Sequence, residues 1–322
     1  MQDVLLAIEA VAALAAVLVA LEINSRNYSA KAERRWPPLG RREALSRGHV
    51  HLHAAGPEDG VPVLLLHGAS ANLRELWTPV GEPLARTHRV IAIDRPGYGY
   101  SARTGDAQTL AAQADFAAEA LTQVAEEPAF VIAHSLGAAV ALRLAIEYPE
   151  RVRGLVLIAP ASHPYPGNNV WWARLAAAPV LGAAFSRWLV PLFGPGQLKG
   201  GIANTFAPAE PPEEYVEDAG VGLAFRPGAF RASAKDVIAT KKEFAAQAPL
   251  YGDIMTPTII LTGDRDRVVS PDIHARALAE ELAAAELITA PDAGHMPHRV
   301  RPDLVLCALH RLEAMASIDT ED

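Results

Sequence analysis

The stretch AFVIAHSLGAAVAL (129–142) decides the fold prediction, because the pattern of a strand changes there abruptly to that of a helix. Residues 129–133 are apolar on both faces, as in a strand buried inside a parallel sheet. From Leu136 onward, small and aliphatic residues follow one another as in a packed helix. Ser135 lies at the change, in the strand–turn–helix context that exposes a nucleophilic serine.

One letter departs from the G-x-S-x-G pattern of such a turn. Gly137 supplies the second glycine, whereas Ala133 stands in place of the first. Ala133 adds one methyl group where helix and strand approach closely, and a small facing residue can accommodate it. The turn is therefore predicted to form, with Ser135 as its nucleophile rather than as a helix cap.

The same alternation of strand and helix extends along the chain and predicts a doubly wound, mostly parallel α/β sheet. Helical spacing recurs over 106–127, 136–150 and 270–284. The predicted strands lie within VPVLLLHG (61–68), HRVIAIDRPG (88–97), AFVIAHS (129–135), RGLVLIAP (153–160), TPTIILTGD (256–264) and, more weakly, AAELITAPDAGH (284–295).

The alternation is interrupted between residues 161 and 250. This segment holds three of the five tryptophans and six of the eight phenylalanines. An aromatic-rich insertion between two sheet strands is typical of a lid over an active site. We therefore predict an α/β core over 44–160 and 251–322, with a lid over 161–250.

The N-terminal segment differs from the rest of the chain. VLLAIEAVAALAAVLVALEI (4–23) is interrupted only by Glu9 and Glu22, and its 20 residues match the span of a bilayer. We predict a membrane-anchoring helix over 1–24 and a basic, proline-containing linker over 25–43. An amphipathic helix docked on the body or lying in the membrane interface is the alternative.

The charges on either side of the apolar run bear on topology. A cleaved signal peptide would require basic residues before the run, and none precedes it. Excess positive charge follows it, which favours a cytoplasmic catalytic domain.

Overall composition excludes some classes of function. The chain has 29 Lys and Arg against 37 Asp and Glu, a net charge of −8, which argues against nucleic-acid binding.

The single cysteine, Cys307, lies in an apolar run and is predicted to be buried and inert. His49, His51 and His53 alternate in GHVHLH (48–53); a solvated edge-strand face is expected there rather than a zinc site.

A serine nucleophile needs a base and an acid that orients the base, and in α/β sheets these follow in the order Ser, Asp, His. LTGDRDRVVSP (261–271) offers Asp264 and Asp266 directly after a strand. PDAGHMPHRV (291–300) offers His295 in a loop, with His298 as the weaker candidate.

An acyl-transfer site also needs donors for an oxyanion. The turn at LLLHGAS (64–70) predicts the backbone N–H groups of Ala69 and Leu136 as those donors, with His67 supporting the loop.

Taken together, HGAS (67–70), IDRPGYGYS (93–101), AHSLG (133–137), GDRDRVV (263–269) and AGHMPH (293–298) resemble the motifs of the α/β-hydrolase fold superfamily. The resemblance extends over about residues 45–316. It implies Ser135 as nucleophile, Asp266 as acid, His295 as base, and Ala69 and Leu136 as oxyanion donors. The spacing from Gly263 favours Asp266 over Asp264.

These observations predict a membrane-tethered serine hydrolase that acts on a small apolar ester and needs no metal or organic cofactor. Two alternatives use the same triad: hydrolysis of a carbon–carbon bond, and cofactor-free perhydrolysis. A third is a non-catalytic protein that binds a hydrophobic ligand or partner.

Overall fold

The computed structural model describes residues 1–166 and 170–318 of the chain. An eight-stranded sheet forms its centre, in the order β1-β2-β4-β3-β5-β6-β7-β8. β1 and β2 pair antiparallel, β2 pairs antiparallel with β4, and all other neighbours are parallel. The strands are β1 (Arg41–Leu45), β2 (Gly48–Ala55), β3 (Pro62–Leu66), β4 (Arg89–Ile93), β5 (Ala129–His134), β6 (Val152–Ile158), β7 (Thr258–Gly263) and β8 (Ala285–Ala290).

Helices cover the sheet and fill the long connection between β6 and β7. The α-helices are α1 (Gln2–Arg35), α2 (Arg74–Leu76), α3 (Glu82–Leu84), α4 (Leu110–Thr122), α5 (Leu136–Glu147), α6 (Trp171–Ala177), α7 (Leu181–Ala184), α8 (Val190–Phe206), α9 (Tyr215–Asp218), α10 (Pro227–Gln247), α11 (Ala277–Glu281), α12 (Pro297–Val300) and α13 (Pro302–Ile318). π-helical segments at Trp77–Gly81, Phe185–Leu189 and Asp272–Arg276 join some of them, and 3₁₀ turns lie at Pro149–Arg151, Val221–Phe225 and Ala248–Asp253.

The sheet is buried on both faces, which explains the apolar strands. Successive side chains of a strand point to opposite faces. Along β3, Leu64 and Leu66 belong to one core cluster, under α4 and α5, whereas Val63 and Leu65 belong to a second one, under α13. The predicted doubly wound α/β fold and its six parallel strands are therefore confirmed.

The segment between β6 and β7 is helical and is called here the helical insertion (161–250). Its longest helices are α8 and α10, and α6 packs against α10. Residues 167–169, within the predicted lid, and 319–322, at the end of the predicted core, lie outside the described residues.

The N-terminal helix is longer than predicted. The sequence predicts a helix that ends at residue 24 and a linker over 25–43, but α1 continues to Arg35 and β1 begins at Arg41, so only residues 36–40 separate them. The extra turns are stabilised by the helical insertion: the Tyr28 hydroxyl donates to the Gly222 carbonyl at 2.9 Å, and the Trp36 indole N–H donates to the Glu217 carbonyl at 3.0 Å. In its most apolar window of 18 residues α1 has a mean hydropathy of 2.7 with none of it buried, so it could cross a membrane by length and composition.

Two further predictions are wrong. β2 lies between β1 and β4 rather than at the edge of the sheet, and His51 is buried against Asp94, with 2.6 Å between His51 Nδ1 and Asp94 Oδ2. Cys307 is exposed, because it lies on the outer side of α13 while its neighbours Ala308 and Leu309 face the core. An apolar sequence context shows that a helix is buried on one side, but not which of its residues faces solvent.

Trp36, directly after α1, packs closely against Gly222 of the helical insertion. A Cβ atom at Gly222 would lie 2.3 Å from the Trp36 ring, closer than any real contact. We therefore expect Gly222→Ala to displace Trp36 and to lower the free energy of unfolding by about 1–3 kcal/mol. Chemical denaturation of the detergent-solubilised chain measures the change. The matched control is Gly200→Ala in α8, where a Cβ meets no atom within 4 Å; equal effects of the two changes would contradict the prediction.

Candidate active site

Ser135 lies in a strained turn between β5 and α5. Its backbone has φ +53° and ψ −119°, a region that residues with side chains rarely adopt. The turn is held by its own hydrogen bonds: the Ser135 N–H donates to the Ile158 carbonyl at 2.9 Å, and the Ser135 carbonyl accepts from the N–H groups of Ala138 and Ala161. Backbone strain that is fixed in this way is characteristic of functional sites.

The two positions flanking Ser135 have different steric requirements. A Cβ at Gly137 would lie 2.4 Å from the Leu66 carbonyl oxygen, so glycine is required there. Ala133 is fully buried in β5, opposite Leu66 and Leu157, and its methyl group belongs to the core cluster under α5. The alanine that departs from the usual pattern is thus accommodated without disturbing the turn.

The structure brings Ser135, His295 and Asp266 together. His295 Nε2 lies 3.0 Å from Ser135 Oγ, and His295 Nδ1 lies 2.7 Å from Asp266 Oδ2. All three side chains are buried, although their positions in the chain are far apart. Asp264, the other acid considered, lies instead 3.8 Å from Arg265 and is partly exposed.

Asp266 is held in its ionised form. Its Oδ1 accepts from the N–H groups of Val268 at 2.8 Å and Val269 at 2.9 Å. Burial opposes the charge, but the hydrogen bond from His295, with these two N–H groups, lowers the pKa of Asp266 below its ordinary value. The carboxylate can therefore orient His295 and stabilise a positive charge on its ring.

Leu136 directly follows Ser135, and Ala69 lies in the loop after β3. Leu136 is the first residue of α5, where the backbone N–H has no partner within the helix. Ala69 lines the same cavity as Ser135. Neither of these two N–H groups donates a hydrogen bond to an acceptor within residues 1–166 and 170–318, so both are available to an oxyanion.

The loop that carries Ala69 is supported by Arg95, which sequence reasoning did not identify. The Arg95 guanidinium donates to the carbonyls of His67 and Gly68, both at 2.9 Å. His67 Nε2 accepts from the Arg95 backbone N–H at 3.0 Å, which requires a neutral ring. Burial, with the nearby Arg95, lowers the pKa of His67 to about 4.

Asp236 on α10 joins this support to the helical insertion. It accepts from Arg95 at 3.3 Å, from the Tyr98 hydroxyl at 2.9 Å and from Arg103 at 2.7 Å. The motif IDRPGYGYS contains both Arg95 and Tyr98, so the motif was visible in the sequence. Its partner was not, because Asp236 lies 141 positions further along the chain.

A second buried pair lies behind Ser135. Glu75 Oε1 is 2.8 Å from His134 Nδ1, Glu75 Oε2 accepts from the Gly68 N–H at 2.8 Å, and His134 Nε2 donates to the His295 carbonyl at 3.0 Å. Burial alone would raise the pKa of Glu75, but His134 holds it well below its usual range. Burial likewise opposes a charge on His134, yet Glu75 raises the pKa of His134. Both shifts favour the charged forms of Glu75 and His134, and the pair connects the Gly68 loop to the backbone of His295.

His298 completes this cluster without a hydrogen bond. Its ring lies 4.4 Å from that of His134, and neither of its nitrogens has a hydrogen-bond partner among the described residues. Burial, with the neighbouring His134, lowers the pKa of His298 well below its ordinary value, so the ring is neutral. Glu75, His134 and His298 each offer one ligand atom within 4.8 Å of the others, so this set could hold a metal ion. The Glu75 carboxylate already has partners in His134 and the Gly68 N–H, so it does not need a metal ion.

Ser135 and His295 open into a cavity of about 940 Å³ between the sheet and the helical insertion. The insertion contributes mainly large apolar side chains to its wall, among them Trp171, Trp172, Phe185, Phe193, Phe225 and Phe230. No Lys or Arg lines the cavity within the described part of the chain. The space suits a neutral, apolar molecule.

Comparison with known proteins agrees with this architecture. Residues 61–302 match the α/β hydrolase fold family. The chain belongs to this family. It is 30% identical over 249 residues to RutD of Variovorax paradoxus, a proposed carbamate hydrolase, with 76% of this chain and 89% of that protein covered. The fold is similar to that of a thermophilic esterase from Thermogutta terrifontis, with a TM-score of 0.71, 23% identity, and 86% and 99% of the two chains covered.

A shorter match concerns a different chemistry. A 2-hydroxymuconate semialdehyde hydrolase of Pseudomonas sp. (strain CF600) is 37% identical over 133 residues. That match covers 40% of this chain and 46% of the relative, so the chain spans less than half of the length of this relative. Together the comparisons establish an enzyme of the α/β-hydrolase class, with both esterases and carbon–carbon hydrolases among its neighbours.

Replacing Glu75 by Gln tests the buried pair behind Ser135. We expect a loss of about 3 kcal/mol in the free energy of unfolding at pH 7, because His134 is left buried without its counter-ion. The pKa of Glu75 in the folded chain lies below its ordinary value of 4.5. Its contribution is therefore fully present above that pH and is lost as the pH falls toward the folded value.

Denaturation of Glu75→Gln and wild type between pH 3 and pH 8 measures both expectations, with the exposed Glu82→Gln as the matched control. The difference between Glu75→Gln and wild type should shrink below about pH 4.5. A difference that is constant over the whole range, or one no larger than that of the control, would contradict an ionic pair.

Proposed function

We propose that this chain is a serine hydrolase that cleaves carboxylic esters of apolar, uncharged substrates through an acyl-enzyme. The observation that carries the proposal is the continuous contact from Ser135 Oγ to His295 Nε2, at 3.0 Å, and from His295 Nδ1 to Asp266 Oδ2, at 2.7 Å. This arrangement lies at the base of an apolar cavity. Nucleophile, base and orienting acid are the three groups that acyl transfer to a serine needs.

The reaction follows from these contacts. His295 Nε2 removes the proton of Ser135 as Oγ attacks the ester carbonyl, and Asp266 stabilises the charged ring. The N–H groups of Ala69 and Leu136 donate to the oxyanion of the tetrahedral intermediate. Its collapse breaks the bond to the alcohol oxygen, which receives the proton from His295. Water activated by His295 then cleaves the acyl-enzyme by the same steps and releases the acid.

The cavity supports a neutral substrate. Its wall is aromatic and aliphatic, and a charged substrate group would enter it without a compensating Lys or Arg among the described lining residues. A volume of about 940 Å³ has room for an extended acyl or alcohol group beside the reacting carbonyl. In this proposal the helical insertion acts as a lid, and no metal or organic cofactor takes part.

The N-terminal helix supports a membrane-anchored protein. The apolar run at 4–23 has the length of a single span, and the charged residues that follow it in α1 pair with the helical insertion: Arg35 with Glu217, and Glu33 with Arg226. The excess of Lys and Arg directly after the span favours a cytoplasmic catalytic domain. The proposal thus includes the membrane as a partner through α1.

A second candidate function is hydrolysis of a carbon–carbon bond by the same three residues. The identity of 37% with a 2-hydroxymuconate semialdehyde hydrolase favours it. That substrate is a carboxylate, however, and the described lining of this cavity has no Lys or Arg to pair with it, while His134 is already paired with Glu75. The ester reaction is therefore preferred.

Labelling with a fluorophosphonate probe tests the nucleophile in the detergent-solubilised full chain. We expect wild type to label, Ser135→Ala to lose all labelling, and His295→Ala to label at least 100-fold more slowly, because the serine then lacks its base. Ser70→Ala is the matched control, since Ser70 also has a positive φ and also lines the cavity. Labelling that survives in Ser135→Ala, or a folded wild type that never labels, would overturn the proposal and favour a ligand-binding protein.

Two substrates of different charge separate the two candidate functions. We expect p-nitrophenyl esters of neutral acids to be hydrolysed at least 100-fold more efficiently, as kcat/KM, than an anionic dienoate with a cleavable carbon–carbon bond. The physical reason is the cost of desolvating a carboxylate in a cavity whose described lining has no Lys or Arg. Steady-state kinetics with both substrates measures the ratio, and the reverse preference would establish the second candidate.

A further inference from the structure

Exposed large apolar side chains are concentrated in two parts of this protein. Nine of them belong to α1, and Met1 directly precedes it. Over residues 1–166 and 170–318, only Met255, Val268 and Met315 lie outside the N-terminal segment formed by Met1 and α1 and outside a short stretch of the helical insertion. The residues of that stretch, called here the apolar rim, are Val170, Trp171, Val180, Leu181, Leu189, Leu192 and Phe193.

Part of the apolar rim lies at the opening of the cavity. Trp171, Leu189 and Phe193 line the cavity and are nevertheless 71%, 40% and 62% exposed, so they lie where the cavity meets the outside. Trp171–Ala177 and Leu181–Phe206 are together apolar enough to enter a membrane, but they are bent by 108° and cannot form one straight span. The exposed apolar side chains of this pair form a patch that is suited to contact a membrane.

Helix α1 determines where this opening lies relative to a bilayer. Glu22, next to the last residue of the apolar run, accepts two hydrogen bonds from Arg187 at 2.6 and 2.7 Å and one from Trp188 at 3.3 Å. At 1.5 Å per residue, the run at 4–23 is about 30 Å long, the thickness of the hydrocarbon core of a bilayer. The membrane surface at the end of the run therefore coincides with Arg187 and with the neighbouring rim residues Leu189, Leu192 and Phe193.

We propose that the apolar rim is embedded in the interface of the same bilayer that α1 spans, and that the cavity opens toward the lipid. A lipid-soluble, uncharged ester then moves laterally from the bilayer to Ser135 without crossing water. This inference rests on the proposed ester hydrolysis and names its substrate class. The bilayer is favoured as occupant because the rim is continuous, through Arg187 and Glu22, with an apolar run of spanning length.

The test compares two substrates with the full chain reconstituted in phosphatidylcholine vesicles. One is p-nitrophenyl acetate, dissolved in water; the other is a long-chain 4-methylumbelliferyl ester, dissolved in the bilayer. The variant Val180→Ser, Leu181→Ser, Leu192→Ser changes three rim residues that do not line the cavity. Its matched control is Met255→Ser with Met315→Ser, two exposed side chains outside the rim.

We expect the rim variant to hydrolyse the soluble ester within twofold of wild type and the bilayer ester at least tenfold more slowly, while the control keeps both rates. Equal rates of rim variant and control on the bilayer ester would overturn the inference. So would a wild type that cleaves the soluble ester but not the bilayer ester, and in both cases the proposed hydrolysis still stands. A wild type that cleaves neither ester would instead contradict the proposed function.

A second measurement does not depend on catalysis, and it tests the proposal even if the rim variant fails to fold. Brominated phosphatidylcholine quenches tryptophan fluorescence only at the depth of its bromine atoms. We expect shallow-brominated lipid to quench wild type more than Trp171→Phe, because the exposed Trp171 lies in the interface. Equal quenching of the two chains would overturn the embedding of the rim, whatever the activity.

Discussion

The close approach of α5 to the end of β3 is the constraint on which the rest of this structure depends. The chain must turn from β5 into α5 within one residue, and this places Gly137 so near the Leu66 carbonyl that no side chain fits. Ser135 takes up the turn with its positive φ, and the hydrogen bonds to Ile158, Ala138 and Ala161 hold it there. The result is a hydroxyl presented at the carboxyl edge of the sheet, where the loops after β3, β7 and β8 also meet.

Buried charges support those loops, and each is paired. Arg95 holds the carbonyls of the His67–Gly68 loop, and Asp236 holds Arg95. Glu75 and His134 form the second support, between the Gly68 N–H and the His295 carbonyl. A buried charge is costly unless it is paired, so these contacts fix their neighbours within narrow limits. Because Asp236 belongs to α10, the position of the helical insertion is coupled to the loop that carries Ala69.

The helical insertion also links the site to the N-terminal helix. One side of the insertion forms the cavity wall. The other side makes hydrogen bonds with Glu22 and Tyr28 of α1 and with Trp36 directly after it. A helix docked in this way differs from one on a flexible linker, because the body cannot rotate freely about α1. The orientation of the cavity opening is therefore a property of the folded chain.

The sequence by itself determined the parallel sheet, the position of the turn at Ser135, and the order Ser135, Asp266, His295. These features follow from local patterns: apolar runs on both faces of a strand, a glycine at the turn, and polar residues directly after strands. Tertiary structure alone decided the burial of His51, the exposure of Cys307, the extension of α1 to Arg35, and the partners of Arg95 and Glu75. Each of these depends on a group far away in the chain, such as Asp94 for His51 or Glu217 for Arg35 and Trp36. Periodicity shows which residues share a face, but only the packed chain shows what that face meets.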